Sequence, residues 1–540
     1  MKLFADLVIL NGKIITMDAE QSIADAMAVK HGRIISVGLK SNVEDLVGPD
    51  TETIDLNGKT VIPGLIDSHA HFMSMGPSPM LFVDLSEESG VRSISDVQER
   101  LKERASQTPK GEWVFGRGED DTKLEENRHP TRWDLDEAST EHPIIVTFVG
   151  GHFWMANSKA LELAGVTKDS PDPVGGKFDR DPESGEIIGY LHEKAYDVLR
   201  PEGPPVPTRE QSYSGTKRIL EECPTVGLTC VYDLVDRHEI RAAIDLKNNG
   251  ELPIRVRMDA TIDMVPDLDK VGIYRGFGDD WLRLCGVKFF FDGAISARTA
   301  AVSEPYLNKP DFYGVFATTP EIARETLTDA YEKGYRLSAH ANGDRAIDLY
   351  LDIIEELQTK YPREDPRNRD IHCTVVNPKI IERIKKLGVL PTIFGQYAYY
   401  HGDKLIPSFG EKRLEWMFPA RSFLDAGVTI AAHSDYPCGP YPPLMAIHAL
   451  VNRRSKTGNP IGLCQQISVI EALRLYTTNA AYHQFDEDKL GSLEPGKLAD
   501  FVVLSEDILS VPKENIIDIE VDITVIDGRV VYRKDDAKGG

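Results

Sequence analysis

Val61-Ile62-Pro63-Gly64-Leu65-Ile66-Asp67-Ser68-His69-Ala70-His71 decides how the rest of this chain is read. An apolar run, Val61 to Ile66, leads into two histidines on alternate positions. In a buried parallel strand, residues two apart project to the same face. Read as such a strand, the segment aims the imidazoles of His69 and His71 at one point at its C-terminal end. Neutral imidazole is the commonest metal-binding side chain, and two on a rigid strand make half of a divalent-metal site. A histidine pair alone arises often by chance. Its place directly after a Pro-Gly-containing apolar run gives it weight.

Outward from this stretch, apolar strands alternate with helix-like segments, the pattern of parallel βαβ units. The expected strands are 60–66, 228–234, 254–260, 284–291, 336–340, 371–375, 389–394 and 428–432. Eight such strands suit an α/β fold, the closed (β/α)8 TIM barrel, whose chemistry sits at the C-terminal ends of its strands. The barrel is expected over residues 61–482. Residues from about 76 to 215 are too many for one βα connection. They carry Trp113, Trp133 and Trp154 and read as an ordered insertion after the first barrel strand that caps the site.

Residues 1–60 read as short strands (6–10, 12–17, 26–30 and 33–37) divided by Asn11-Gly12 and His31-Gly32, dipeptides that favour hairpin turns. Residues 483–540 repeat the style, with a strand at 500–504 and with 524–526 meeting 530–532 across Asp527-Gly528. The two β-rich ends are expected to fold together into one small β-sandwich, and the tail from Lys534 to be disordered.

Composition sets the outer bounds. At 540 residues the chain exceeds one compact core, and 41% hydrophobic with 27% charged residues describes an ordinary soluble protein. The net charge of -24, from 86 acidic against 62 basic residues, disfavours nucleic acid and anionic membranes, which need a basic footprint. No apolar run approaches the roughly 18 residues of a membrane span. The start lacks a small-residue cleavage site and reads as a strand. The six cysteines are scattered without a CxxC pair, which fits a reducing, cytoplasmic setting.

Several further stretches, with the histidine-bearing strand, resemble the amidohydrolase superfamily, and within it the large branch that includes N-substituted formamide deformylases. They are Gly286-Val287-Lys288-Phe289-Phe290-Phe291-Asp292-Gly293, Ala339-His340-Ala341-Asn342-Gly343-Asp344-Arg345-Ala346, Leu424-Asp425-Ala426-Gly427-Val428, and Leu490 to Asp500. The resemblance runs from about Asp6 to Tyr532. It implies a metal-dependent barrel hydrolase acting on a small molecule, with one or two divalent ions, zinc by default from the histidine-rich ligands. It also makes a homodimer an expectation.

The resemblance gives roles to residues that are ambiguous by themselves. Lys288 interrupts an apolar strand, where a desolvated ammonium is costly. In the family such a lysine is often carboxylated by CO2 and bridges two metal ions. His340 and His372 end their strands and join His69 and His71 as the imidazole ligands. Asp435 alone reads as a turn aspartate before Pro437. The family's last-strand aspartate binds metal, takes the proton of the attacking water and passes it to the leaving amine. Gly150-Gly151-His152 through Leu161 resembles a family segment, and His152 is the candidate for stabilising the oxyanion or binding the substrate carbonyl. Arg298 and Thr299 are candidates for a substrate oxygen, with a structural ion pair the alternative for Arg298.

Three departures stand out. The relatives' Ile-Glu-His is here Asp370-Ile371-His372. His433 stands where they usually carry glycine. Their Gln-Pro-x-His is Gln396-Tyr397-Ala398-Tyr399-Tyr400-His401, which adds Gln396 and Tyr399 to the substrate-binding candidates. Three tyrosines there suggest an aromatic-lined pocket. The expected reaction is hydrolysis of a non-peptide C–N bond, in an amide, formamide or cyclic amide. An ester, lactone or carbamate suits the same site. A metal-free scaffold or regulator is the reading from another class. No GxSxG or SxxK motif supports a serine nucleophile.

Overall fold

The computed structural model describes residues 4–199 and 206–534. Three sheets carry the fold among these described residues. The central one is parallel throughout. In chain order its strands are β1 (Leu65–Ala70), β2 (Leu228–Val235), β3 (Arg255–Thr261), β4 (Leu282–Phe290), β5 (Leu337–Ala341), β6 (Arg369–His372), β7 (Leu390–Phe394) and β8 (Ala431–His433). Each pairs with its neighbour in sequence, so the sheet curls into a nearly closed barrel. The seam between β8 and β1 is joined just past the strands, where Asp435 N donates to His69 O at 3.1 Å and His71 N to Tyr436 O at 2.9 Å. Strands buried on both faces explain the continuous apolar runs, and helices such as Asp344–Lys360 and Pro378–Leu387 cover the outside with Ile347, Ile354, Ile380 and Ile384.

The apolar run 60–66 is not one strand. Thr60–Pro63 pairs antiparallel with Phe501–Leu504 and parallel with Leu7–Ile15, in a second sheet, whereas the barrel strand starts at Leu65. Between them Gly64 packs so close to β2 that a Cβ would lie 2.2 Å from Thr229 Oγ1. Pro63 offers no N–H to a continuing ladder, and the small residue lets the chain pass from one sheet to the other.

The second sheet has the order Arg529–Arg533, Val521–Ile526, Phe501–Leu504, Thr60–Pro63, Leu7–Ile15, Ile23–Lys30, Arg33–Gly38, with Glu52–Asp55 beside Leu7–Ile15. Both chain ends thus supply one sheet. His31-Gly32 and Asp527-Gly528 form two-residue turns with φ of 50° and 71°, and 54° and 70°, as hairpins require. Asn11-Gly12 does not turn. It lies inside the continuous strand Leu7–Ile15, where the register shifts between Leu10 and Ile14 and Asn11 takes φ 58° in a bulge. The end of the expected disordered tail, residues 535–540, lies outside the described residues.

The third sheet follows β1 in sequence, in the order Gly176–Arg180, Ile187–Glu193, Phe153–Ala156, Ile144–Phe148, Val114–Glu119, Val83–Asp84. Its own core includes Val97, Leu101, Val114 and Val146. Helix Ile94–Gln107 starts at a capping box in which Ser93 and Asp96 satisfy each other's backbone N–H. This unit is fastened to the barrel by buried charge. Lys404 Nζ lies 2.7 Å from Asp120 and 3.5 Å from Asp121, and Arg298 pairs with Asp121 at 3.1 Å.

Candidate metal centre

The C-terminal ends of the barrel strands bring His69, His71, Lys288, His340, His372 and Asp435 into one buried cluster. His69 Nε2 and His71 Nε2 lie 3.3 and 3.4 Å from Asp435 Oδ1, which has no hydrogen-bond partner of good geometry. Lys288 Nζ is 3.4 Å from His69 Nε2. His372 Nε2 is 3.1 Å from His340 Nδ1, and the His69 and His372 rings are 5.6 Å apart. His71 lies one residue beyond β1, at the start of helix Phe72–Met75, and is the more open of the first pair.

Local backbone geometry puts these groups where they are. Asp67 Oδ1 accepts from His69 N at 3.2 Å and from Ser434 N at 3.1 Å, tying the residues just before both ends of the cluster. Asp435 and His372 take left-handed backbone angles, φ 55° and 81°, which cost roughly 1–3 kcal/mol apiece and gather at functional sites. Asp292 accepts from the N–H groups of Ala301, Asn342 and Gly343 at 2.9, 3.0 and 2.8 Å, fixing the loop after β4 against the end of β5.

Electrostatics follow from burial. Desolvation drives the pKa of His69, His340 and His372 well below the ordinary value, so the imidazoles are neutral and carry lone pairs. Burial works against ionising Asp435, but His372, His69 and His71 outweigh it and hold its carboxyl well below the usual range. Burial pulls Lys288 down to about 7 in spite of nearby Asp435 and Asp259, which brings the neutral amine within reach. The tautomer of His340 that donates Nε2–H to Gly293 O at 3.3 Å leaves the Nδ1 lone pair facing His372 Nε2.

These residues fit a divalent cation. Neutral imidazole nitrogens and a carboxylate oxygen converge without protons enough to satisfy them, and buried polar atoms without partners are costly. The ligand atoms of His69, His71 and Asp435 lie within 4.8 Å of one another, as do those of His372, His433 and Asp435.

The expected substrate contacts divide. His152, from the third sheet's unit, does reach the cluster: its ring lies 4.8 Å from that of His340, and its Nδ1 is 2.9 Å from Glu193 Oε2. Burial would lower its pKa, but the Glu193 carboxylate more than offsets this and raises it. Thr299 is fully buried and its hydroxyl is used internally, accepting from Ala294 N and donating to Glu193 Oε1, each at 3.0 Å. It supports the group that holds His152. Arg298 is in the ion pair with Asp121, the alternative weighed for it. Gln396 donates to Ser434 O at 2.5 Å, bracing the loop before Asp435, while its Oε1 has no partner.

The three tyrosines do not line one pocket. Tyr397 is buried against Phe394 and Phe418, Tyr399 stands edge-on to His448, and Tyr400 donates to Glu88 at 2.7 Å beneath Lys123. The short helix Tyr397–Tyr400 spreads successive side chains around its axis, which the sequence run conceals. The sequence reading gives no role to Glu193 or Asn342. The second is findable, since it lies two residues after His340 at the end of the same strand, and its Nδ2 is 3.0 Å from His340 Nε2. Glu193 carries no local signal, because only the fold brings it to His152.

Residues 52–532 match the amidohydrolase family, and the chain belongs to it. It is 31% identical to a Bacillus subtilis (strain 168) protein, YtcJ, named as an amidohydrolase, over 97% of this chain and 98% of that one. It is 29% identical to the N-substituted formamide deformylase of Arthrobacter pascens, over 98% of both. Among solved structures, an uncharacterized metal-dependent hydrolase from Pyrococcus horikoshii superposes with a TM-score of 0.75 at 28% identity, covering 94% of this chain and 99% of that one. The fold and this membership define a barrel-built member of the amidohydrolase family. Among the described residues no helix is long and apolar enough to cross a membrane.

Proposed function

We propose that the protein hydrolyses a non-peptide C–N bond of a small molecule, an amide, formamide or cyclic amide, with His69, His71, Lys288, His340, His372 and Asp435 as ligands of a divalent metal, zinc by default. The observation that carries this reading is the convergence of buried, unprotonated nitrogen and carboxylate donors at the barrel mouth. The kinship with a formamide deformylase supports the bond type.

A divalent metal there supplies Lewis acidity and acidifies water to a pKa of roughly 7. Everything else falls to the chain. Asp435, an ionised carboxylate at the centre, takes the proton of the attacking water and delivers it to the leaving nitrogen, which cannot depart as an anion. His152 bonds the carbonyl oxygen as it gains negative charge, and Glu193 sets the ring's orientation through Nδ1. Burial brings the Lys288 pKa to about 7, so a share of its amine is neutral near pH 7 and open to CO2; carboxylation would release a proton to solvent and leave an anionic carbamate whose oxygens could serve as metal ligands.

The test is a turnover screen of zinc-loaded protein against N-substituted formamides, N-acyl amines and cyclic amides, beside esters and lactones of matched size. Hydrolysis of an amide class, abolished by a chelator and by Asp435→Asn, is the expected result. Turnover of esters or lactones alone would overturn the C–N assignment, and no turnover by a metal-loaded protein would overturn the reading as an enzyme of either kind.

A further inference from the structure

The last barrel strand ends in an imidazole, His433, two residues before Asp435 and across the seam from His69 and His71. The His433 ring lies 5.0 Å from that of His372 and 5.5 Å from that of His69, inside the ring of expected ligands. It is 0% exposed, and neither Nδ1 nor Nε2 has a hydrogen-bond partner.

That is a costly arrangement for a histidine held only by packing. A neutral imidazole has one N–H and one lone pair, and leaving either unpaired in an apolar interior costs on the order of 1–3 kcal/mol. The apolar contact at hand, Phe394 with its ring 4.5 Å away, offers no acceptor in its plane. A cation beside His372 and Asp435 would satisfy the lone pair, since ligand atoms of these three residues lie within 4.8 Å of one another. His340 meanwhile has Nε2 within reach of Asn342 Nδ2 and Gly293 O and turns Nδ1 toward His372, whereas His433 has no such partner.

We propose that His433 is a ligand of the metal centre, binding a divalent cation together with His372 and Asp435. This rests on the metal-centre reading above and adds to it an imidazole from the last strand. A coordination sphere enlarged in this way holds the ion more tightly and leaves fewer open positions for substrate or water.

The experiment uses the full-length protein, stripped with a chelator and reloaded with cobalt(II), whose visible absorption reports ligand number and geometry. Cobalt affinity by chelator competition and the absorption spectrum are compared for wild type, His433→Gln and His433→Asn. Thermal midpoints of the metal-free proteins show whether each variant is folded. Expected are a loss of affinity of at least roughly 10–100-fold, the range for removing even an outer partner of a ligand, and a changed spectrum. Unchanged affinity and spectrum in folded variants would overturn the proposal while leaving the metal centre standing. A wild type that binds no cobalt overturns both. Should both variants misfold, a crystal structure of zinc-loaded wild type decides: a His433 nitrogen about 2.0–2.1 Å from an ion supports it, and ions bound only to other side chains refute it.

Discussion

Glu193 Oε2 lies 2.9 Å from His152 Nδ1, while Glu193 Oε1 accepts a hydrogen bond from the Thr299 hydroxyl at 3.0 Å. One carboxylate thus joins a histidine of the inserted unit to the loop that follows the lysine-bearing strand. The histidine it holds is 4.8 Å, ring to ring, from His340. Glu193 is itself at a left-handed φ of 48°, so its placement is over-determined by these partners.

Glu193→Gln should therefore lower kcat for the best substrate by about 10-fold or more, and His152→Ala by on the order of 100-fold, within the range for removing one preorganised donor. KM should change less than kcat in both, because the interaction strengthens as the carbonyl oxygen becomes charged. Steady-state kinetics on folded, metal-replete variants decides it. An effect confined to KM would make His152 a ground-state binding residue.

Lys404 and Asp120 are each less than a tenth exposed, and their ion pair fastens the inserted unit to the barrel. Removing one partner leaves an uncompensated buried charge, which costs about 3–5 kcal/mol. Lys404→Met should open the unit, seen as faster limited proteolysis within 76–215 and an early denaturant transition. Burial would raise the pKa of Asp120, but Lys404 and His401 more than offset this and hold it below the ordinary range. The native state then binds fewer protons here than the unfolded chain. The stabilisation is complete above a pH of about 4 and is lost as pH falls through the lower folded value. Asp120→Asn should flatten that acid loss.

Arg255, fully buried on β3, makes paired hydrogen bonds to Asp500 at 2.7 and 2.9 Å and so joins the barrel floor to the sheet of the two chain ends. Asp500→Asn should lower the thermal midpoint by several degrees and leave the metal content per folded chain unchanged. Loss of metal in the folded variant would show that this end of the barrel is coupled to the other.

The tyrosines make a contrast. Tyr397→Ala removes a ring buried against Phe394 and Phe418 and should cost about 3–5 kcal/mol, as for other large buried aromatics. Tyr399→Ala and Tyr400→Ala should leave the ratio of rates on aromatic and aliphatic amides unchanged, because Tyr399 stands edge-on to His448 and the Tyr400 hydroxyl is held by Glu88. A shift in that ratio would restore the aromatic pocket.

Much of this architecture is legible in the sequence because burial on both faces of a parallel strand leaves an apolar run, and a polar residue at its end breaks the run. His69 and His71 stand out that way as candidate ligands, whereas Lys288, His340 and His372 take that role from the family resemblance. The strand limits are less legible. Pro63-Gly64 marks a crossing between two sheets that hydropathy alone joins into one strand. Asn11-Gly12 has the composition of a hairpin turn, yet strand partners on both sides keep it extended around a bulge. Residues whose role depends on distant partners give no local sign. Glu193 meets His152 across 41 positions and Thr299 across 106. Asp500, readable as part of a family run, has its reason in Arg255, 245 positions away.

The central claim is that this cluster holds metal, and the most direct measurement is divalent metal per chain by plasma mass spectrometry. The protein should be purified without chelators or a histidine affinity tag. At least one tightly held ion per chain is predicted, rising toward two with bicarbonate present and falling sharply in His69→Ala and Asp435→Ala. A wild-type protein that stays metal-free after incubation with zinc and bicarbonate would contradict the account and leave a barrel without its chemistry.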